Sequence, residues 1–395
     1  MTNPKLRFNL HEATPWQFRT LDEVSFYAKK RVKPPVCVYV GIEELQAYGA
    51  GVKPRVNDSQ EGIEFLVDDI LLGNIRPYLK KLWQADCQGS CSADVLVIRT
   101  KDSIAPKFLK CVLSSDKFFE HIALGYKGSK MPRGDKSQIM QFAFGIPSTE
   151  EQQKIADFFS TLDEKIALAE RKLAALQTLK SGLMQKIFSR EIRFRRENGE
   201  SFPAWEQATL AKTAVMITVG IANAARHAYC NAESGVPMLR NMNIKPNQLD
   251  DSDLVYITRD FADKYSKKTL KENDVLVCRT GVPGTACLVT KKYAGAQTFT
   301  TLIVRLLPSV EPRYICQYIN SHLAKKYIDS TTIGGGQKNS GAGIISTLPI
   351  MLPCREEQQR IAEILTDVDA KIETADAKLA LLNRQKQAFM QQMFV

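Results

Sequence analysis

A chain of 395 residues, 44 % of them hydrophobic, is long enough for two or three domains with apolar cores. No apolar run approaches the ~18 residues of a membrane-spanning helix, and the start MTNPKLRFNL does not read as a secretory signal, so a cytoplasmic protein is expected. Lys+Arg of 54 against Asp+Glu of 43 leaves +11, a surplus compatible with a polyanionic partner. Nine cysteines without framework spacing read as free thiols, not as disulfides or zinc ligands.

Residues 1–147 read as a mixed α/β (α+β) domain. Arg7-Phe8 opens it, with Trp16 and Leu21 downstream. Short β-branched runs at Cys37–Gly41, Ile70–Leu72 and Val95–Ile98 predict strands, and Pro106–Ile122 predicts an amphipathic helix. Two loops concentrate base. The turn Gly73–Lys81 offers Arg76 and Lys80, and the segment Gly125–Ser137 carries Lys127, Lys130, Arg133 and Lys136 against one acid, Asp135. These six are candidate DNA contacts, although each loop taken alone also reads as an ordinary polar turn. The second loop is no phosphate cradle, because Asp135 stands where the P-loop motif requires lysine.

Residues 148–188 predict one long helix of about 39 residues, roughly 58 Å at ~1.5 Å per residue. Ile155, Phe159, Leu162, Ile166, Leu173 and Leu176 fall at alternating spacings of a coiled-coil seam, interrupted by Lys180. Such a lysine lowers stability and fixes register or points at a partner. Pro147 with Ser148 or Thr149 ahead of Glu151 and Gln152 resembles a capping signal. The run starting at Glu150 (EEQQ) reads either as a capped, solvated first turn or as a surface that docks a partner subunit.

Residues 189–353 predict a second domain. Val275–Val277 and Leu302–Val304 predict strands and Pro312–Ile328 a helix. Candidate DNA contacts are Arg240, Asn241, Asn243 and Lys245 in one segment, Arg279 after a strand, and Gln337, Lys338 and Asn339 in a glycine-rich loop, since arginine pairs with guanine, and asparagine or glutamine with adenine, through two hydrogen bonds. Residues 354–395 predict a second spacer helix with seam residues Ile361, Leu365, Val368, Ile372, Leu379 and Leu382 and a matching Lys386.

The two halves repeat. Ile146–Phe188 aligns without a gap on Leu352–Phe394, 206 residues later, with 19 of 43 positions identical. At the same offset Asp94–Arg99 matches Thr300–Arg305, Ala105-Pro106 matches Glu311-Pro312, and Gly128 matches Gly334. Asp69-Ile-Leu-Leu matches Asp274-Val-Leu-Val at 205, and Arg7-Phe8 with Trp16 and Leu21 recurs as Arg193-Phe194 with Trp205 and Leu210. An internal pseudo-two-fold follows, with two long helices expected to bury their seams against each other as an antiparallel coiled coil. Metalloprotease, nucleophile-elbow and dinucleotide motifs are missing, as is the N-P-P-Y or D-P-P-Y tetrapeptide of DNA amino-methyltransferases. The histidines, widely separated, read as structural or surface residues.

The order of domain, EEQQ-led helix, domain, EEQQ-led helix resembles the specificity subunit of type I restriction-modification systems over essentially the whole chain. The motifs are I-P-x-x-x-E-Q-Q-K-I-A at Ile146–Ala156, L-P-x-x-x-E-Q-Q-R-I-A at Leu352–Ala362, and the R-F segments with their downstream tryptophans. The resemblance implies two target-recognition domains, each reading one half of a bipartite asymmetric site in double-stranded DNA, and helices that set the spacing and dock two methyltransferase subunits. It also implies restriction subunits in the full complex, with S-adenosylmethionine, ATP and magnesium on the partners and no catalysis in this chain. A stand-alone DNA-modifying enzyme and a coiled-coil scaffold without sequence readout are the alternatives.

Overall fold

The computed structural model describes residues 4–8, 15–32, 38–47, 51–53, 55–56, 61–126, 128, 130–222, 225–331 and 341–394. Chain contacts divide it into two units, Met1–Arg171 with Asp376–Val395, and Lys172–Ala375. Both cuts fall inside the long helices, Thr149–Phe188 and Arg355–Met393, not at the domain ends expected from the sequence. The reason is packing: each domain is covered by the N-terminal half of its own helix and the C-terminal end of the other.

In unit 1 the central antiparallel sheet runs in the order Ser25–Tyr27, Val95–Thr100, Ile70–Gly73, Leu82–Gln84. Successive side chains of a strand point to opposite faces, and here both faces are buried. Ile70, Leu72, Leu96 and Ile98 join the main core with Phe108, Phe118, Phe159 and Phe394, whereas Leu71, Val95 and Val97 join a second cluster with Val40, Phe65 and Trp83. That explains why these strands read as unbroken apolar runs. Behind them lies a five-stranded sheet in which Val38–Val40 pairs in parallel with Gly89–Cys91. Gln17–Thr20 pairs with Ala143–Ile146 where the chain leaves for the long helix.

Unit 2 repeats the plan. Ala214–Val219, Leu302–Leu306, Val275–Val277 and Ala286–Leu288 form the central sheet, Val236–Leu239 pairs in parallel with Gln297–Thr298, and Glu206–Thr209 pairs with Pro349–Leu352. Both units are therefore α+β. Each single helix expected after the central sheet is two: Pro106–Leu113 then Asp116–Ala123, and Pro312–Ile319 then His322–Thr331. The break is made by small polar residues. Ser115 Oγ accepts from Phe118 N at 3.3 Å, and Ser321 Oγ from Ala324 N at 3.3 Å, starting the second helix by capping it.

The EEQQ runs are only half solvated. Glu151 is 1 % exposed and Glu357 is buried completely. Arg7 grips Glu151 through Nε (3.1 Å) and Nη2 (2.7 Å), and Trp16 Nε1 donates to the same carboxylate. Arg193 and Trp205 do the same for Glu357, at 2.8, 2.9 and 2.9 Å. The next residue ties in the domain: Gln152 accepts from Ala105 N and donates to Pro147 O, as Gln358 accepts from Glu311 N and donates to Pro353 O. These pairs join residues that were matching but unexplained in the sequence. The solvated-turn and docking expectations are thus corrected for Glu151, Gln152, Glu357 and Gln358, which bury because their partners come from the domain. Asp69–Arg99 and Asp274–Arg305 are a second repeated bidentate pair.

Where the long helices meet, they run antiparallel. In unit 1 Phe158 packs on Phe389 (5.1 Å between rings), and Asp163 binds Lys386 and the domain's Lys110, each at 2.6 Å. In unit 2 Lys180 pairs with Asp369, which also accepts from Gln317 at 2.6 Å. The seam lysines therefore have aspartate partners on the facing helix, which fix register as a buried polar pair does in a coiled coil. Ile155, Phe159, Leu162, Ile166, Ile361, Leu365 and Val368 are buried. Leu173, Leu176, Ile372, Leu379 and Leu382 are half-buried, beyond the cover of the domains.

Candidate nucleic-acid interface

Both units bring loops together at one end of the parallel strand pair. In unit 1 the turn after Ile70–Gly73 meets the loop before the helix Lys136–Met140. Gly134 N donates to Asn74 O (3.2 Å), Arg76 N to Pro132 O (2.8 Å), and Asn74 N to Asp94 O (2.9 Å), with a β-bridge between Ile75 and Arg133. Arg76 sits at φ 49°, ψ 59° and Lys80 at φ 51°, ψ 38°, a left-handed conformation that is uncommon outside glycine. In unit 2 the residue aligned with Arg76 is Gly281, at φ 80°, so the turn keeps its shape while its side chain changes.

The expected contacts separate into three kinds. Arg133 Nη2 binds Asp94 Oδ1 at 2.9 Å and stays 59 % exposed, and Arg76, Lys130 and Lys136 are exposed. Lys80 is held by Asp116 at 2.6 Å and lies over the Phe119 ring, so it serves the fold. Lys127 lies outside the described residues, as do Gln337, Lys338 and Asn339. Asp135 accepts from Ser137 N and Gln138 N, which makes it a helix cap.

In unit 2 Arg240 Nη2 donates to Asp253 Oδ2 (2.9 Å) and Asp253 O (2.8 Å). Asn241 Nδ2 donates to the hydroxyls of Thr280 (2.6 Å) and Thr300 (3.1 Å). Asn243 is turned inward: it accepts from Arg240 N and donates to Asp250 O and Asp253 O. It shapes the turn as Glu44 does in unit 1, where Gly41 N donates to Glu44 Oε2. Lys245 is exposed and 3.8 Å from Asp250, and Arg279 is half-buried with a polar partner of its own.

Polar atoms without partners collect at this edge in both units. Asn74 Oδ1, Arg240 Nε and Asn241 Oδ1 are buried and find no hydrogen-bond partner among the described residues, an arrangement that costs stability and is uncommon away from functional sites. Large apolar side chains stand exposed beside them: Tyr78, Leu79 and Met131 in unit 1, Met242 and Val282 in unit 2. Exposed apolar groups, arginine forks and amides together suit a base edge in a major groove, where thymine presents a methyl group. Asp94, Asp253, Thr280 and Thr300, which hold the candidate contacts, were missed in the sequence. Their signal was the position where matched strands begin with unmatched residues, Asp94 against Thr300.

Among the described residues no group of His, Cys, Asp and Glu is arranged to hold a metal ion, and no helix is long and apolar enough to cross a membrane. The described cysteines are free thiols. Burial pushes the thiols of Cys91, Cys111 and Cys278 up to about 12, away from nucleophilic reactivity.

A domain-and-helix frame built twice, with different polar contents at the same edge, defines a protein of two homologous binding modules. Residues 67–178 and 221–384 match the family model of the type I restriction modification DNA specificity domain, and the chain belongs to that family. The MjaVIII type I restriction enzyme specificity subunit of Methanocaldococcus jannaschii is 24 % identical over 276 residues, 67 % of this chain and 64 % of that one. The chain thus spans a little under two thirds of that relative's length. A crystal structure of the type I restriction-modification S subunit from M. genitalium superposes with a TM-score of 0.66 at 13 % identity, covering 100 % of this chain and 99 % of that one. A chain from a study of complex assembly and conformational transition of the type I R-M system gives 0.58 at 20 % identity, covering 97 % and 99 %. At these identities the likeness is one of fold.

Proposed function

We propose that this chain is the sequence-specific DNA-binding subunit of a type I restriction-modification complex and carries no catalysis of its own. Each unit reads one half of a bipartite, asymmetric site in double-stranded DNA. The observation that carries this reading is the one frame built twice with different side chains at the same edge: Gly41, Asn74, Asp94 and Arg133 in unit 1, and Arg240, Asn241, Arg279, Thr280 and Thr300 in unit 2. Equal frames dock alike, and unequal edges choose different bases.

Exposed lysines would neutralise phosphates and supply salt-dependent affinity, while arginine and amide groups choose sequence. The long helices set the spacing between half-sites and dock two methyltransferase subunits, with restriction subunits joining in the full complex. S-adenosylmethionine, ATP and magnesium belong to those partners, and the assembly acts on DNA in the cytoplasm.

The test is methylation mapping of genomic DNA from cells expressing this chain with its methyltransferase, against cells expressing the methyltransferase alone. A split adenine-methylated motif that depends on this chain is expected. An assembled complex with no new motif would favour a scaffold, and methylation by the purified chain alone would favour an enzyme.

A further inference from the structure

We infer that Asp94 is a positioning residue for Arg133, and that the pair reads one guanine in the half-site recognised by unit 1. The inference rests on the DNA-reading function proposed above and adds a base and a mechanism to it.

Among the described basic residues of the unit 1 edge, Arg133 alone is both held by a carboxylate and exposed. Its backbone is fixed by the bridge to Ile75 and by the hydrogen bonds of Pro132 and Gly134 to the neighbouring turn. One Nη2 hydrogen goes to Asp94 Oδ1 at 2.9 Å, with 59 % of the arginine side chain and 37 % of the aspartate accessible. An ion pair so exposed contributes little to stability. It does orient the guanidinium, leaving further N–H groups in the plane of the fork. Two such donors match O6 and N7 of guanine in the major groove. The carboxylate also cancels the charge that would otherwise attract Arg133 to any phosphate, which disfavours sequence-independent binding. Arg76, Lys130 and Lys136 are exposed, no carboxylate among the described residues orients them, and they suit phosphates.

Unit 2 supports the positioning role of this strand position. Thr300 occupies the position of Asp94, and there too the side chain holds a candidate base contact, accepting from Asn241 Nδ2 at 3.1 Å. One position at the start of the central strand orients a contact in both units, with chemistry that differs between them.

The experiment compares the methylated motif and its stringency for the complete complex carrying the wild-type chain, Asp94→Ala, Arg133→Lys or Arg133→Ala. Asp94→Ala is expected to keep methylation but admit other bases at one guanine position of one half-site, lowering discrimination there by about 10- to 100-fold. Arg133→Lys, which keeps the charge and removes the fork, is expected to relax the same position, and Arg133→Ala to do so with weaker binding. The other half-site stays unchanged in all three. Retention of the wild-type motif at full stringency by Asp94→Ala and Arg133→Lys would overturn the inference while leaving the proposed function intact. A uniform loss of methylation across all positions would also overturn it, because that is the signature of a structural role. A wild-type complex without any motif would instead remove the proposed function, and the inference with it.

Discussion

Replacing Glu357 with alanine removes the carboxylate on which Arg193 and Trp205 converge. The side chain is fully buried, while Arg193 retains 32 % exposure. Removing one member of a buried pair costs about 3–5 kcal/mol; partial solvation of Arg193 favours the lower end, and the stranded Trp205 N–H adds ~1 kcal/mol. A loss of about 3–4 kcal/mol corresponds to a fall in Tm of roughly 6–16 °C for a unit of about 200 residues. Glu356→Ala is the control. Glu356 occupies the same first helical turn and feels the same helix dipole, but it is 58 % exposed and meets Arg196 at 3.0 Å, so about 0.5–1 kcal/mol is at stake. Thermal unfolding followed by circular dichroism, with both variants at one protein concentration, measures the difference. A Glu357→Ala shift no larger than that of Glu356→Ala would refute the structural reading of the EEQQ run.

Burial works to raise the Asp163 carboxyl, but Lys110 and Lys386 outweigh it and hold it below the usual carboxylate range. A depressed folded-state value gives stability that is present above the unfolded value of about 3.9 and lost as pH falls through the folded one. Asp163→Asn should therefore destabilise at neutral pH and flatten the loss of stability below about pH 4, as read by urea midpoints across that range; an unchanged acid profile would contradict the pairing. DNA affinity of the complex should fall with salt, and Arg76→Ala should lower the slope of log K against log salt by about 1 if that side chain neutralises one phosphate; filter binding at several salt concentrations decides. Exchanging residues 1–147 for another recognition domain should change one half of the methylated motif and leave the other half intact. Adding or deleting residues within Glu150–Phe188 should alter only the gap between the halves, which the same motif mapping would reveal.

What the chain alone determined was whatever depends on periodicity and on comparison of the chain with itself. The alternating apolar spacing wrote both long helices, the 206-residue offset wrote the duplication, and unbroken runs such as Val95–Ile98 and Leu302–Val304 wrote strands buried on two faces. Tertiary structure decided which polar residues are consumed by the fold. Glu151 finds Arg7 from 144 residues away and Glu357 finds Arg193 from 164, so burial of the EEQQ run has no local signal. Lys80 looked like Arg133 in the sequence; one is closed by Asp116 and Phe119, the other held open by Asp94. The seam lysines found their aspartates only on the facing helix. A carboxylate or lysine has the same local preference wherever it stands, and its role is set by what long-range packing places within about 3 Å of it.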